Sequence, residues 1–150
     1  MNVVSIEIEV DAPVDAVWKV VGDPRNLAHW DRHVESVEGI PASGLAEGVT
    51  YLTVMRFLTV RARVHAEVVE WQPPHLARIR LSGLLEAEVT TSVEPLPGER
   101  SLLEHIVEYR FHGGPLGGFA ARSLKLVGGP QHMLRHGALA QKREIESRRR

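Results

Sequence analysis

Residues 3–10 alternate in polarity, with Val4, Ile6, Ile8 and Val10 on one face and Ser5, Glu7 and Glu9 on the other, the period of two expected of a half-buried strand. Asp11-Ala12-Pro13 interrupts it. Pro13 suits the first position of a helix, where its missing N–H is one that a helix leaves unpaired anyway. Val14, Val17, Trp18 and Val21 then recur at i, i+3, i+4 and i+7, a single apolar stripe, until Gly22 ends the run. Asp23-Pro24 repeats the start signal, a capping carboxylate followed by proline, and predicts a second short helix reaching about His33.

From residue 34 to residue 112 the pattern is strands punctuated by glycine and proline. Six are predicted: Val34–Ile40, Val49–Leu58, Thr59–Trp71, Leu76–Ser82, Leu84–Glu94 and Leu102–His112. Gly39 to Gly48, Pro73-Pro74, Gly83 and Pro95-Leu96-Pro97-Gly98 separate them as turns. Connections this short force antiparallel pairing, because a parallel crossover needs a dozen or more residues. Alternation also assigns the faces. Val60, Ala62, Val64, Ala66 and Val68 oppose Arg61, Arg63, His65 and Glu67; Ala77, Ile79 and Leu81 oppose Arg78 and Arg80; Leu85, Ala87, Val89 and Val93 oppose Glu86, Glu88 and Glu94. One face of the sheet is apolar and the other charged.

A glycine-rich corner, Gly113 to Gly118, leads into a segment with helical periodicity in Leu116, Phe119, Ala120, Ser123 and Val127, resuming at Leu134, Ala138 and Ile145. It is the one long element left to cover the apolar face, which predicts an α+β layer arrangement. Gly128-Gly129-Pro130 interrupts it, since proline in a helix interior removes a hydrogen bond and clashes with the preceding turn. A kink, a gate and a plain loop between two helices are all compatible with that signal.

The 150 residues fit one domain, 1–150, without a linker or repeat. The net charge of −1 offers no basic stripe beyond the terminal Arg148-Arg149-Arg150, so no nucleic-acid partner is expected. The absence of cysteine removes thiolate nucleophiles, disulfides and Cys-ligated zinc. No stretch of ~18 uncharged apolar residues is present to span a bilayer, and the first ten residues, which include Glu7 and Glu9, do not resemble a signal peptide. A cytoplasmic location is the expectation.

The order of strand, two short helices, six-strand meander and long C-terminal helix resembles the START-like or SRPBCC superfamily, the birch-pollen-allergen-like helix-grip fold, and within it the bacterial polyketide cyclase/dehydrase-like branch. The residues that carry the likeness are Ala12-Pro13-Val14-Asp15-Ala16-Val17-Trp18, Asp23-Pro24, Trp30, Pro73-Pro74 and Gly114-Pro115-Leu116-Gly117. The resemblance implies a seven-stranded curved antiparallel sheet gripping the C-terminal helix over a cavity for hydrophobic or amphipathic molecules. It does not imply catalysis.

Within that frame His105 and Tyr109 share strand parity with Leu103, Val107 and Phe111. Either they serve catalysis, with His105 as general acid or base and Tyr109 as a donor to a ligand carbonyl, or they are wall residues satisfied by backbone or water. At ~3.3 Å per residue they stand roughly 13 Å apart along the strand, so they flank a ligand without forming a dyad. The wall role is preferred, with both touching ligand. Tyr51, Thr53, Met55 and Phe57 share a face of the third predicted strand, as pocket wall or plain core, and the resemblance places Trp30 where it closes one side of the cavity or serves as a structural plug. Val64, Ile79, Leu81, Val89 and Val107 from the sheet, with Phe119, Val127 and Leu134 from the last helical segment, complete the predicted lining.

His29 with His33, and His132 with His136, have i, i+4 spacing but lack a third ligand and the Glu of a His-Glu-x-x-His motif, so neither metal nor cofactor is expected. No nucleophile elbow, phosphate cradle or dinucleotide fingerprint is present. Three functions remain: binding of a small hydrophobic or aromatic, polyketide-like molecule; an aromatase/cyclase or dehydratase using His105; and a protein-interaction domain with a collapsed cavity. Nothing indicates homo-oligomers, which stay open.

Overall fold

The computed structural model describes residues 2–57, 59–83, 85–126 and 128–149. Met1, Leu58, Leu84, Val127 and Arg150 lie outside them, as do the side chains of Phe57, Leu116, Phe119, Ala120, Ser123, Leu124 and Leu126. Strand β1 (Asn2–Val10) is followed by helix α1 (Val14–Val21), a 3-10 turn over Pro24–Asn26 and the single-turn helix α2 (Leu27–Trp30). Six strands follow: β2 (Val34–Glu38), β3 (Thr50–Phe57), β4 (Val60–Gln72), β5 (Leu76–Ser82), β6 (Leu85–Leu96) and β7 (Arg100–Phe111). The chain then forms α3 (Gly114–Leu126) and α4 (Pro130–Ser147).

All seven strands form one antiparallel sheet in the order β1-β7-β6-β5-β4-β3-β2. The meander closes on itself in sequence: β1 pairs with the last strand, Ile6 opposite His105 and Val10 opposite Ser101. Fully buried Ser101 donates its hydroxyl to the Ala12 carbonyl at 2.7 Å, which locks the turn after β1 onto the start of β7. Bulges between Val34 and Ser36 and between Val68 and Glu70 add the local twist that curves a sheet.

Helix α4 is fastened to β1 by polar bonds at several levels. The Gln131 amide donates to the Ser5 carbonyl at 2.9 Å, Lys142 to the Glu9 carbonyl at 2.7 Å, and the Asp11 N–H to the Glu146 carboxylate at 2.9 Å. Below these, Val10, Ala12, Val17, Val20, Trp30, Val93, Leu103 and Ile145 form one close-packed cluster. A second cluster sits at the far side of the sheet, around Tyr51, Ala66 and Val68 with Leu45, Trp71, Ile79 and Leu81 packed against it. The apolar face is therefore buried at two places rather than continuously.

Several predicted boundaries shift. The second short helix stops at Trp30 rather than His33, because the Asp31 carboxylate accepts the His33 N–H at 2.8 Å and turns the chain towards β2. His29 and His33 consequently share no helix face. Strand β2 ends at Glu38, short of Ile40, and β6 continues through Pro95 and Leu96, with Pro95 opposite Ser101. Proline is tolerated there at the end of the ladder, and the turn falls on Pro97 to Glu99. Gly128 and Gly129 adopt positive φ of 96° and 87°, and Pro130 opens α4. The interruption is thus a connection between two helices, and the C-terminal cover arrives in two pieces. Gly117 is needed for close approach: a Cβ there would lie 1.4 Å from the His112 carbonyl oxygen.

Among the described residues no helix is long and apolar enough to cross a membrane. Leu103 is wholly buried in the first cluster whereas Val3 is 60% exposed. Leu103→Ala is expected to lower the urea-derived stability by about 2–5 kcal/mol, and Val3→Ala to change it by less than about 0.5 kcal/mol. Equal effects would mean that the first cluster does not carry the packing assigned to it.

Candidate functional site

Between the two clusters the sheet and α4 diverge, leaving a cavity of about 390 Å³, within the ~300–1,000 Å³ range of small-molecule sites. Strands β3 to β7 form its floor, α4 its roof, and α1 with α2 one end. Strand parity sets the floor. Tyr51, Thr53 and Met55 of β3 point inward together; Val64 of β4 and Ile79 and Leu81 of β5 stand beside them; Ala87, Val89 and Thr91 of β6 face Val107 and His105 of β7. Ile79, Leu81, Val89 and Val107 point to the apolar side yet are only half-buried, because they face a void rather than the next layer.

The structure places every predicted lining residue whose side chain is described on this cavity: Trp30, Tyr51, Met55, Val64, Ile79, Leu81, Val89, His105, Val107, Tyr109 and Leu134. The side chains of Phe57 and Phe119, and the whole of Val127, lie outside the described residues. Trp18 and Trp71 also line the cavity, with ring centroids 5.2 Å apart. Trp30 closes one end of it, its indole N–H donating to the Glu144 carboxylate on α4. That bond couples α2 to the roof.

The polar centre of the cavity is a three-residue chain that crosses β6, β7 and α4. Thr91 lies opposite His105 in the β6–β7 register, and its Oγ1 is 2.8 Å from His105 Nδ1. On the other side, His105 Nε2 is 2.8 Å from Gln141 Oε1. An amide oxygen only accepts, so Nε2 carries the proton and donates; Nδ1 is then bare and accepts the Thr91 hydroxyl proton. His105 and Gln141 are each only 7% exposed. Burial pushes the His105 pKa below the ordinary histidine value, with the Gln141 bond a smaller opposing influence. The imidazole is therefore neutral at pH 7, and protonating Nδ1 would turn the Thr91 hydroxyl from donor to acceptor. Both ring nitrogens are already used within the protein, an arrangement that fixes the ring more than it frees it for proton transfer.

Tyr51 is almost wholly buried, and burial raises its phenol pKa to about 12. It stays a neutral O–H. Tyr109, four residues from His105 on the same strand, packs edge-on against Phe111 with ring centroids 5.7 Å apart. Neither hydroxyl has a hydrogen-bond partner among the described residues, so both are available to a ligand. His132 and His136 stack on α4 with ring centroids 6.3 Å apart, but no group of three metal-ligating side chains gathers among the described residues.

Gln141 and Thr91 were not among the sequence-predicted site residues, although each left a signal. Leu134, Ala138, Gln141 and Ile145 fall at i, i+4, i+7 and i+11, so Gln141 is the one polar member of an otherwise apolar helix stripe. Thr91 likewise interrupts the inward series Ala87, Val89 and Val93.

A curved antiparallel sheet, two short helices after its first strand and a C-terminal helix laid over a cavity define the helix-grip class of the START-like superfamily. The chain belongs to the polyketide cyclase / dehydrase and lipid transport family, whose profile matches residues 1–131. It is similar to an uncharacterized protein of Mycobacterium tuberculosis, at 32% identity over 126 residues, 81% of this chain and 88% of that one. Among solved structures, its fold is shared by the Zhui aromatase/cyclase from Streptomyces sp. R1128, with a TM-score of 0.75 and 20% identity over 99% of this chain and 96% of that chain. A START superfamily protein from Mycobacterium smegmatis shares it too, with a TM-score of 0.71 and 19% identity over 98% of this chain and 99% of that chain.

A histidine whose pKa is lower in the folded than in the unfolded chain stabilises the fold above its unfolded value, and that stability is lost as pH falls towards the folded value. Urea melts of the wild type should therefore show stability declining below about pH 6.5 with a slope of up to ~1.4 kcal/mol per pH unit from this group. His105→Gln should reduce the slope in that window. Identical slopes in the two proteins would show that His105 is not held neutral by burial.

Proposed function

We propose that this protein binds a small hydrophobic or aromatic, polyketide-like molecule without transforming it, holding it between the sheet and α4. The observation that carries this reading is the cavity itself, walled by inward-facing apolar residues such as Ile79, Leu81, Val89 and Val107 that remain half-exposed. Apolar surface facing an unfilled space is stabilised when a ligand covers it, at about 25 cal/mol per Å² removed from water. Family membership, with its description of polyketide chemistry and lipid transport, supports the same ligand class. A cyclase or dehydratase role has less support, because Thr91 and Gln141 occupy both nitrogens of the cavity histidine. A collapsed interaction domain is disfavoured by a void of this size.

A ligand that binds only the native state raises its stability by ~2.7 kcal/mol at a hundredfold excess over Kd. Thermal unfolding with neutral two- and three-ring aromatics should show melting temperatures raised by about 5 °C or more for the tighter ligands. Val107→Trp, which fills the cavity from the floor, should remove the rise. If no aromatic or lipid raises the melting temperature of the wild type, and native mass spectrometry of the purified protein finds nothing bound, the binding reading is wrong.

A further inference from the structure

The direction of the hydrogen-bond chain in the cavity specifies what its ligand must offer. Thr91 donates to His105, His105 donates to Gln141, and every donor points the same way, from β6 through β7 to α4. The series ends at the Gln141 amide nitrogen, whose two N–H groups have no protein partner among the described residues. Gln141 nonetheless lines the cavity while being 7% exposed, and no fully buried side-chain nitrogen or oxygen among the described residues is left without a hydrogen bond. The amide nitrogen is therefore not fully buried, on a residue that lines the cavity. With the amide oxygen on His105 Nε2, Gln141 presents its amide nitrogen as a donor; the reversed amide would require the other His105 tautomer, with Nδ1–H donating to Thr91, and would select a ligand donor instead.

The charge of the wall adds a second constraint. Among the described lining residues no lysine or arginine appears, and the sole charged group is Asp31 beside α2, one of whose oxygens already accepts the His33 N–H. A ligand carboxylate or phosphate would enter an apolar space without a counter-charge, which is far more costly than burying a neutral acceptor.

We propose that the ligand is uncharged and carries a carbonyl oxygen that accepts the Gln141 amide N–H, so that Gln141 selects ketone-type aromatic molecules over hydrocarbons and over carboxylates of the same shape. The proposal rests on the binding reading and narrows it. His105 and Thr91 act here as positioning residues, fixing the amide orientation without contacting the carbonyl. The phenols of Tyr51 and Tyr109, which have no protein partner among the described residues, remain for any further oxygen the ligand carries.

Three probes of nearly equal shape separate the terms: 2-acetylnaphthalene, 2-isopropylnaphthalene and 2-naphthoate, titrated calorimetrically into the full chain. The ketone should bind about tenfold more tightly than the hydrocarbon, the ratio expected for one net hydrogen bond. The carboxylate should bind about a hundredfold less tightly than the ketone, or worse. In Gln141→Leu the ketone should lose its advantage while the hydrocarbon keeps its affinity. Gln141→Glu retains an acceptor for His105 but removes the amide donors, and so should also abolish the preference if the leucine variant fails to fold. Hydrocarbon and ketone binding equally well to the wild type would overturn the carbonyl assignment and leave the binding reading standing. Naphthoate binding as well as the ketone would overturn neutrality. If none of the three binds to the wild type while another aromatic or a lipid raises its melting temperature, the carbonyl assignment falls and the binding reading stands.

Discussion

The apolar face of the seven-stranded sheet is wider than one helix can cover, and the rest of the structure follows from how α4 is placed on it. Hydrogen bonds donated by Gln131 and Lys142 and accepted by Glu146 tie that helix along β1 and the turn after it, and Ile145 packs into the cluster with Val10, Val17 and Leu103. Close packing is thereby achieved at the β1 end. The inward side chains of β4 and β5 lie beyond its reach, and the second cluster, around Tyr51, Ala66 and Val68, covers only the far side. The cavity is what lies between.

That geometry also explains why the polar chain runs where it does. A histidine in the middle of β7, flanked by β1 and β6, is almost wholly buried once α4 is in place. Thr91 across the ladder and Gln141 from above satisfy its two nitrogens, which meets the requirement that buried polar groups be paired. The pairing has a directional result: satisfying the histidine uses the oxygen of the glutamine and leaves its nitrogen. Polarity inside the cavity is thus an outcome of closing the core.

Much of this was legible in the residue pattern, and the rest was hidden for identifiable reasons. Alternation in β3 to β7 assigned the inward faces because a pleated strand has no other period, and Asp23-Pro24 marked a turn whose cap is indeed the Asp23 carboxylate, accepting the Arg25 N–H at 3.1 Å. Ends were less visible. Pro95 looks like a breaker, yet the ladder runs past it, and the short helix before β2 ends early through a local bond from His33 to Asp31. The pairing of His105 with Gln141 spans 36 positions, so no local signal connects them. It becomes apparent only when the helix register and the strand parity are laid over one another.

The division between packed and unpacked apolar residues has an evolutionary consequence. Val10, Val17, Leu103 and Ile145 meet neighbours on every side, so changes there are penalised by the fold whatever the cargo. Ile79, Leu81, Val89 and Val107 meet empty space on one side, and substitutions that keep them apolar alter the contour of the chamber at little cost to folding. Selection can reshape the chamber at those positions while leaving the frame untouched, so that one architecture can hold chambers of different contour on little shared sequence.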